Sequence, residues 1–190
     1  MSQYPPVPPT EGLALPEAPP GWPKVIGIIS TIWGGFNLLC GGLGFVFTLF
    51  MPSVLPKMMP PEMGPPPPAM MPSGAQLVLM GLGLAAAALL LVAGITTLMR
   101  RPAGRTLHLG YAVFSLLITI PAVVLMVQQQ AALADWAAGN PDNAWAKQQS
   151  PLGSLLGFCF VGLGVAYTIF LLAWFLPAKH SPEVGAVEVV

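Results

Sequence analysis

Charge is what this sequence lacks most. Only 7% of its 190 residues are charged, whereas 55% are hydrophobic and the mean hydropathy is +0.73. Soluble domains carry about 25% charged residues, so this composition cannot supply a water-exposed surface. The formal net charge is zero and no basic block is long enough to attract nucleic acid, which argues against nucleic acid as a partner.

Cysteine and catalytic motifs are scarce as well. Cys40 and Cys159 both lie inside apolar runs, so we expect small buried hydrophobes rather than a disulfide. The sequence contains no HExxH, no CxxC and no glycine-rich phosphate loop joined to a strand. Ser30, Ser115 and Ser154 lie in apolar runs without a base expected nearby. We therefore expect a non-enzymatic protein without a cofactor.

Four long apolar runs dominate what is present, at residues 25–50, 75–99, 107–127 and 152–176. At about 1.5 Å per residue, each run is long enough to cross a bilayer as a helix. None of them contains Asp, Glu, Lys or Arg, the residues that mark proton relays and ion paths. The prediction is an all-α fold, a four-helix transmembrane bundle formed by residues 24–176.

The orientation of this bundle follows from three arginines. Arg100, Arg101 and Arg105 lie in the short segment between the second and third runs, which the positive-inside rule assigns to the cytoplasmic side. Both termini are then cytoplasmic. The distribution of Lys and Arg is five inside and two outside: Lys24, Arg100, Arg101, Arg105 and Lys179 against Lys57 and Lys147.

The remaining segments are two tails and two outer loops. Residues 1–23 contain eight prolines, which predicts a disordered cytoplasmic tail. This tail is either a solvated spacer or a ligand for a protein partner with an aromatic groove. Residues 128–151 form the second outer loop, in which helix formers extend the third helix until the sequence breaks at 139–142. Residues 177–190 form a short cytoplasmic tail.

The first outer loop, residues 51–74, contains nine prolines and six methionines. Prolines at this density are expected to exclude helix and strand. Because thioethers are soft ligands that select Cu(I), the cluster Met58, Met59 and Met63 is a candidate metal site. The alternative is a loop that lies at the membrane surface with its methionines among the headgroups.

Small residues form a stripe along the first run, and glycines recur along the fourth. The positions are Gly27, Ser30, Gly34, Asn37, Gly41 and Gly44 in the first run, and Gly153, Gly157 and Gly164 in the fourth. Small residues let helices approach closely in lipid, so we expect these two helices to pack together or to pair between subunits. We expect Asn37 to bond across to another helix; the alternative is that it contacts a ligand.

Two further expectations concern the membrane surface. His108, close to the arginines, is expected to be an interfacial residue. Trp22, Trp174 and Phe175 are expected to form the inner aromatic belt.

The segment GITTLMRRPAGRTLHLGY, residues 94–111, resembles a hairpin of uncharacterised bacterial four-helix integral membrane proteins. The resemblance implies a four-span layout in the bacterial inner membrane and carries no known activity. The expected function is a structural or scaffold role, with the lipid bilayer, further copies of the chain and a partner of the proline-rich tail as contacts. The alternative is a transport-related bundle, either an oligomeric channel or a copper-handling accessory.

Overall fold

The structure is a computed structural model, and it describes residues 21–58, 66–147 and 151–176. The described residues form helices and no strand. Five α-helices follow one another: α1 (Trp22–Met58), α2 (Gly74–Leu98), α3 (Ala103–Gly139), α4 (Ala144–Lys147) and α5 (Pro151–Phe175). A short 3-10 turn, Pro68–Met70, precedes α2. Residues 1–20 of the first predicted tail and the whole of the second, residues 177–190, lie outside the described residues.

Four of these helices are long and apolar enough to cross a membrane. The candidate spans are Pro23–Val54, Pro68–Leu98, Ala103–Gly139 and Gly157–Phe175. The predicted all-α fold with four apolar helices is therefore confirmed, and the helices indicate a multi-pass membrane protein.

α1 is longer than its apolar run predicts. It continues beyond Phe50 to Met58, so the expectation that proline excludes helix is wrong for residues 51–58. Pro52 and Pro56 each remove one backbone donor, but they are four residues apart and so lie on one face of the helix. The other backbone bonds of the helix remain possible. α3 continues to Gly139, the first residue of the predicted break.

The most extensive helix contact joins α1 to α2. Three glycines of α1 lie opposite three leucines of α2, both sets at intervals of seven residues: Gly27 with Leu98, Gly34 with Leu91, Gly41 with Leu84. A seven-residue repeat on both partners is typical of helices that pack as in a coiled coil, here antiparallel. A Cβ atom added at Gly34 would lie 2.7 Å from the backbone nitrogen of Leu91. The two backbones therefore touch, as small residues allow in lipid.

Gly94 of α2 makes an equally close contact with the backbone of α1. A Cβ atom at Gly94 would lie 2.6 Å from the backbone nitrogen of Thr31 and 3.0 Å from the carbonyl oxygen of Gly27. At the next interface, between α2 and α3, a Cβ atom at Gly104 would overlap the hydroxyl of Thr97. Three helices are thus held together by backbone contacts at positions where only glycine fits.

The predicted stripe of α1 divides into two parallel lines. The glycine line described above faces α2. The second line, Ser30, Asn37 and Gly44, has the same seven-residue interval but faces elsewhere. Ser30 is fully buried against α3 and α5, Asn37 lines a cavity, and a Cβ atom at Gly44 would meet nothing within 4 Å.

The helices are neighbours in the order α1, α2, α3, α5. The turn between α2 and α3, which contains Arg100 and Arg101, lies beside the start of α1 and the end of α5. We call this the arginine end of the bundle. Most of the buried core lies towards this end, and it consists of Ile26, Ala86, Leu90, Tyr111, Ala112, Leu171 and Phe175. Many large apolar side chains outside this core are exposed along the whole length of the bundle, which suits contact with lipid.

The glycines of α1 and α5 do not pack these two helices against each other within the chain, whereas their pairing between subunits stays a prediction. The glycines of α1 face α2, and on α5 a Cβ atom at Gly157 would lie 2.9 Å from the Cε atom of Met126 on α3. A Cβ atom at Gly164 would meet nothing within 4 Å. Gly153 lies in α5, but its surroundings are outside the described part.

We predict that Gly94→Ala destabilises the bundle by about 1–3 kcal/mol, because the added methyl group cannot fit against the backbone of α1. The matched control is Gly81→Ala in the same helix, where an added Cβ meets nothing within 4 Å. It should be neutral or stabilise by up to ~1 kcal/mol, since alanine favours helix over glycine. The measurement is the thermal unfolding midpoint of the chain in detergent, and equal midpoints for both variants would contradict the α1–α2 contact.

Candidate functional site

The imidazole of His108 lies at the centre of a buried polar cluster. The side chain is 0% exposed, so the expectation of an interfacial position is wrong. Its Nδ1 atom lies 2.7 Å from the carbonyl oxygen of Gly104, one turn earlier in α3. Its Nε2 atom lies 2.8 Å from the hydroxyl of Ser30 on α1, and the ring stacks on Phe175 of α5 with centroids 5.0 Å apart.

The partners determine the direction of these hydrogen bonds. A carbonyl oxygen can only accept, so Nδ1 of His108 donates to Gly104. In the neutral ring Nε2 is then the acceptor, and it receives the hydroxyl proton of Ser30. The oxygen of Ser30 accepts in turn from the hydroxyl of Tyr167, 2.6 Å away. The result is a continuous chain of donors and acceptors from α5 through α1 to α3.

α2 completes this cluster through Thr97. Its hydroxyl lies 3.4 Å from Nδ1 of His108, a long contact, and its side chain is buried. We call Ser30, Thr97, His108 and Tyr167 the histidine cluster. Each of the four long helices contributes one member. Hydrogen bonds between helices in lipid are worth about 0.6–2 kcal/mol each, and an unpaired buried group costs more than that.

Arg105 adds a charged contact at the same end of the bundle. Its Nε and Nη2 atoms donate to the carbonyl oxygen of Phe175 over 3.1 and 3.0 Å. Phe175 is the last residue of α5, where backbone carbonyls have no partner within the helix. A cation at this position also interacts favourably with the negative end of the helix dipole. The residue predicted to set topology therefore also caps a helix.

The other two arginines shape the turn from α2 to α3. Arg100 has a φ of 55°, the left-handed conformation in which helices commonly end. Its N–H donates to the carbonyl of Thr97 over 3.0 Å, and the N–H of Arg101 donates to that of Thr96 over 2.9 Å. These two bonds form a Schellman motif, with arginine at the position that usually holds glycine.

A serine bonded to a histidine is the arrangement of an activated nucleophile. The expectation that no base lies near Ser30 is therefore wrong. The pair is nevertheless enclosed, because Ser30 is 0% exposed and its oxygen is already bonded by Tyr167. The second ring nitrogen of His108 faces a backbone carbonyl rather than a carboxylate. The arrangement joins α1, α3 and α5 by hydrogen bonds and encloses the hydroxyl of Ser30.

Three other expectations also fail. Asn37 donates its amide hydrogen to the carbonyl of Trp33 in its own helix over 2.7 Å, not to another helix. Cys40 and Cys159 are exposed on the bundle surface, because an apolar run is surrounded by lipid as well as by neighbouring helices. Phe175 is 3% exposed and belongs to the core rather than to an aromatic belt.

The predicted metal cluster falls at the edge of the described part. Met58 is the last residue of α1 and is 78% exposed, whereas Met59 and Met63 lie outside the described residues. Copper binding by these methionines stays a prediction. Within the described ranges, no group of three or more His, Cys, Asp and Glu side chains converges.

A cavity of about 320 Å³ lies between α1, α2, α3 and α5. Most of its lining is apolar, and Trp33 and Phe160 contribute aromatic rings from α1 and α5. Four polar side chains also line it: Asn37, Tyr111, Ser115 and Thr119. The cavity therefore combines an apolar wall with a few groups that can form hydrogen bonds.

Comparison with known proteins does not assign the chain to a family. No protein-family model matches the chain, and neither a curated protein nor a solved structure is significantly similar to it. The geometry itself comprises four apolar helices, a buried cluster that joins them, and a cavity beside that cluster.

We predict that Ser30→Ala destabilises the chain by about 1–3 kcal/mol, because it leaves the buried Nε2 atom of His108 and the hydroxyl of the half-buried Tyr167 without a partner. Tyr167→Phe should cost less, about 1 kcal/mol, since Ser30 keeps its bond to His108. The double variant should cost clearly less than the sum of the two.

The measurement is unfolding of each variant in mixed micelles. The control is Ser53→Ala, whose exposed hydroxyl bonds only to Phe50 in its own helix and whose loss should change stability by under about 0.5 kcal/mol. Strictly additive costs for Ser30 and Tyr167 would contradict a shared hydrogen-bond chain.

Proposed function

We propose that the chain is a non-enzymatic membrane protein with a structural or scaffold role. The observation that carries the proposal is the enclosure of the Ser30–His108 pair. Both side chains are 0% exposed, and the groups that could perform chemistry bond to each other. A catalytic serine needs its hydroxyl free to meet a substrate carbonyl, with a donor site for the developing oxyanion.

The surroundings of the pair support the same reading. The ring of Phe175 stacks on the imidazole with an interplanar angle of 22°, which covers one face of the base. The hydroxyl of Tyr167 lies where an incoming group would have to bond Ser30. The cluster contributes helix association, which in lipid depends on packing and hydrogen bonds rather than on the hydrophobic effect.

We further propose that both termini lie on the cytoplasmic side. Lys24 near the start of α1 and the three arginines of the α2–α3 turn belong to the same end of the bundle, because Gly27 contacts Leu98. Lys57 lies at the other end of α1, a helix of 37 residues. A concentration of cations at one end retains that end in the cytoplasm, so the proline-rich tail would be presented there.

We predict that an alkyl fluorophosphonate leaves Ser30 unlabelled in the folded chain, because the reagent needs an accessible hydroxyl with an adjacent base. The measurement is intact mass and peptide mapping of the full chain in micelles. The control is Ser30→Ala. A covalent adduct on the parent chain that is lost in this variant would contradict the non-enzymatic assignment.

We predict that a membrane-impermeant maleimide labels Lys57→Cys from outside, but labels Arg101→Cys only after permeabilisation. Each variant is made in a Cys40→Ala, Cys159→Ala background and expressed in a bacterial host, where intact cells are compared with lysed ones. The reason is the retention of the arginine end in the cytoplasm. Equal labelling of both positions in intact cells would overturn the orientation.

A further inference from the structure

The cavity beside the histidine cluster has the size of a ligand site. Its volume of about 320 Å³ lies within the range of roughly 300–1,000 Å³ found for small-molecule sites. No charged side chain lines it.

A hydrogen-bond donor within this cavity has no partner. Tyr111 lines the cavity and is only 6% exposed. Its hydroxyl makes no hydrogen bond to any residue in the described ranges. The hydroxyl is not among the fully buried polar atoms without a partner in the described ranges, so it is open to the cavity. A ligand that accepts a hydrogen bond can therefore pair with it.

Acceptors in the same cavity are equally available. The amide of Asn37 donates to the carbonyl of Trp33, which leaves its Oδ1 atom to accept. The hydroxyl hydrogen of Thr119 is donated to the carbonyl of Ser115 over 2.7 Å, so the oxygen of Thr119 keeps its lone pairs. A ligand group that both accepts and donates would satisfy Tyr111 and Asn37 together.

The location of the cavity selects a ligand that comes from the bilayer. Asn37 lies near the middle of the candidate span Pro23–Val54, and its side chain is exposed although it lines the cavity. The cavity therefore reaches the bundle surface beside α1 at a depth where hydrocarbon surrounds the protein. A cation at this depth would be costly, since the candidate spans contain no carboxylate near Asn37 to pair with it.

We propose that this cavity binds a membrane-dissolved amphiphile with an apolar body and one uncharged hydroxyl group. The hydroxyl accepts from Tyr111 and donates to Oδ1 of Asn37, while the apolar body lies against the rings of Trp33 and Phe160. This proposal is independent of the scaffold role, because it concerns a different part of the bundle.

The test uses the full chain in phosphatidylcholine vesicles with a photoreactive decanol that carries a diazirine on its chain. We expect labelling of residues that line the cavity, and competition by unlabelled decanol. The methyl ether of the same probe has no hydroxyl hydrogen to donate to Asn37, so its labelling should be at least about fivefold weaker. Asn37→Leu and Tyr111→Phe should each reduce labelling by the alcohol about fivefold.

Gly83→Leu and Gly81→Leu provide a matched pair of variants. Both glycines have open space at the Cβ position, but only Gly83 lines this cavity. Leucine at position 83 should abolish labelling, whereas leucine at 81 should leave it unchanged. Equal labelling by alcohol and ether on the parent chain would overturn the proposal without any variant. Competition by decyltrimethylammonium in place of decanol would overturn it in favour of an organic cation.

Discussion

A buried imidazole needs a partner for each of its two nitrogens, and hydrocarbon supplies none. His108 meets this constraint with a backbone carbonyl of its own helix on one side and the hydroxyl of Ser30 on the other. Because Ser30 also bonds Tyr167, one side chain determines where three helices lie relative to one another. The glycine contacts of α1 with α2, and of α2 with α3, bring the backbones close enough for these short bonds to form. Hydrogen bonding and close packing thus act at the same end of the bundle.

The consequence is a bundle with two unlike halves. At the arginine end α1 and α5 are joined by the bond between Ser30 and Tyr167, and Arg105 caps the last turn of α5. Further along, the same two helices border a cavity instead of packing together. α1 packs against α2, and α5 packs against α3. Because α2 and α3 also contact each other, they hold α1 and α5 in place where those two helices do not touch. The cavity therefore results from the separation of α1 from α5 and does not require a packing defect.

The number of long helices could be predicted from hydropathy, because four uncharged runs of sufficient length leave no other arrangement for the backbone in lipid. The partners of the helices could not. The stripe of small residues on α1 was visible, but its division into a glycine line and a Ser30–Asn37 line becomes apparent only once α2 occupies one face. His108 was misplaced because proximity to arginines indicates an interface, whereas the direction of its side chain depends on helix rotation. Tyr167 was missed because it is 137 residues from Ser30, and nothing local to it in the sequence marks a partner.

The position of the Ser30–Asn37 line on α1 also explains why these two residues have different hydrogen-bond partners. Ser30 and Asn37 are seven residues apart and face the same way, so each would meet α5 if the two helices ran in contact throughout. Ser30 does meet α5, and its hydroxyl is fully used within the protein. Asn37 lies beyond the point of contact, where its amide donates to its own helix and its side chain lines the cavity. An unpaired amide group is costly at this depth, and the carbonyl oxygen of the Asn37 side chain is the group that the proposed hydroxyl ligand would satisfy.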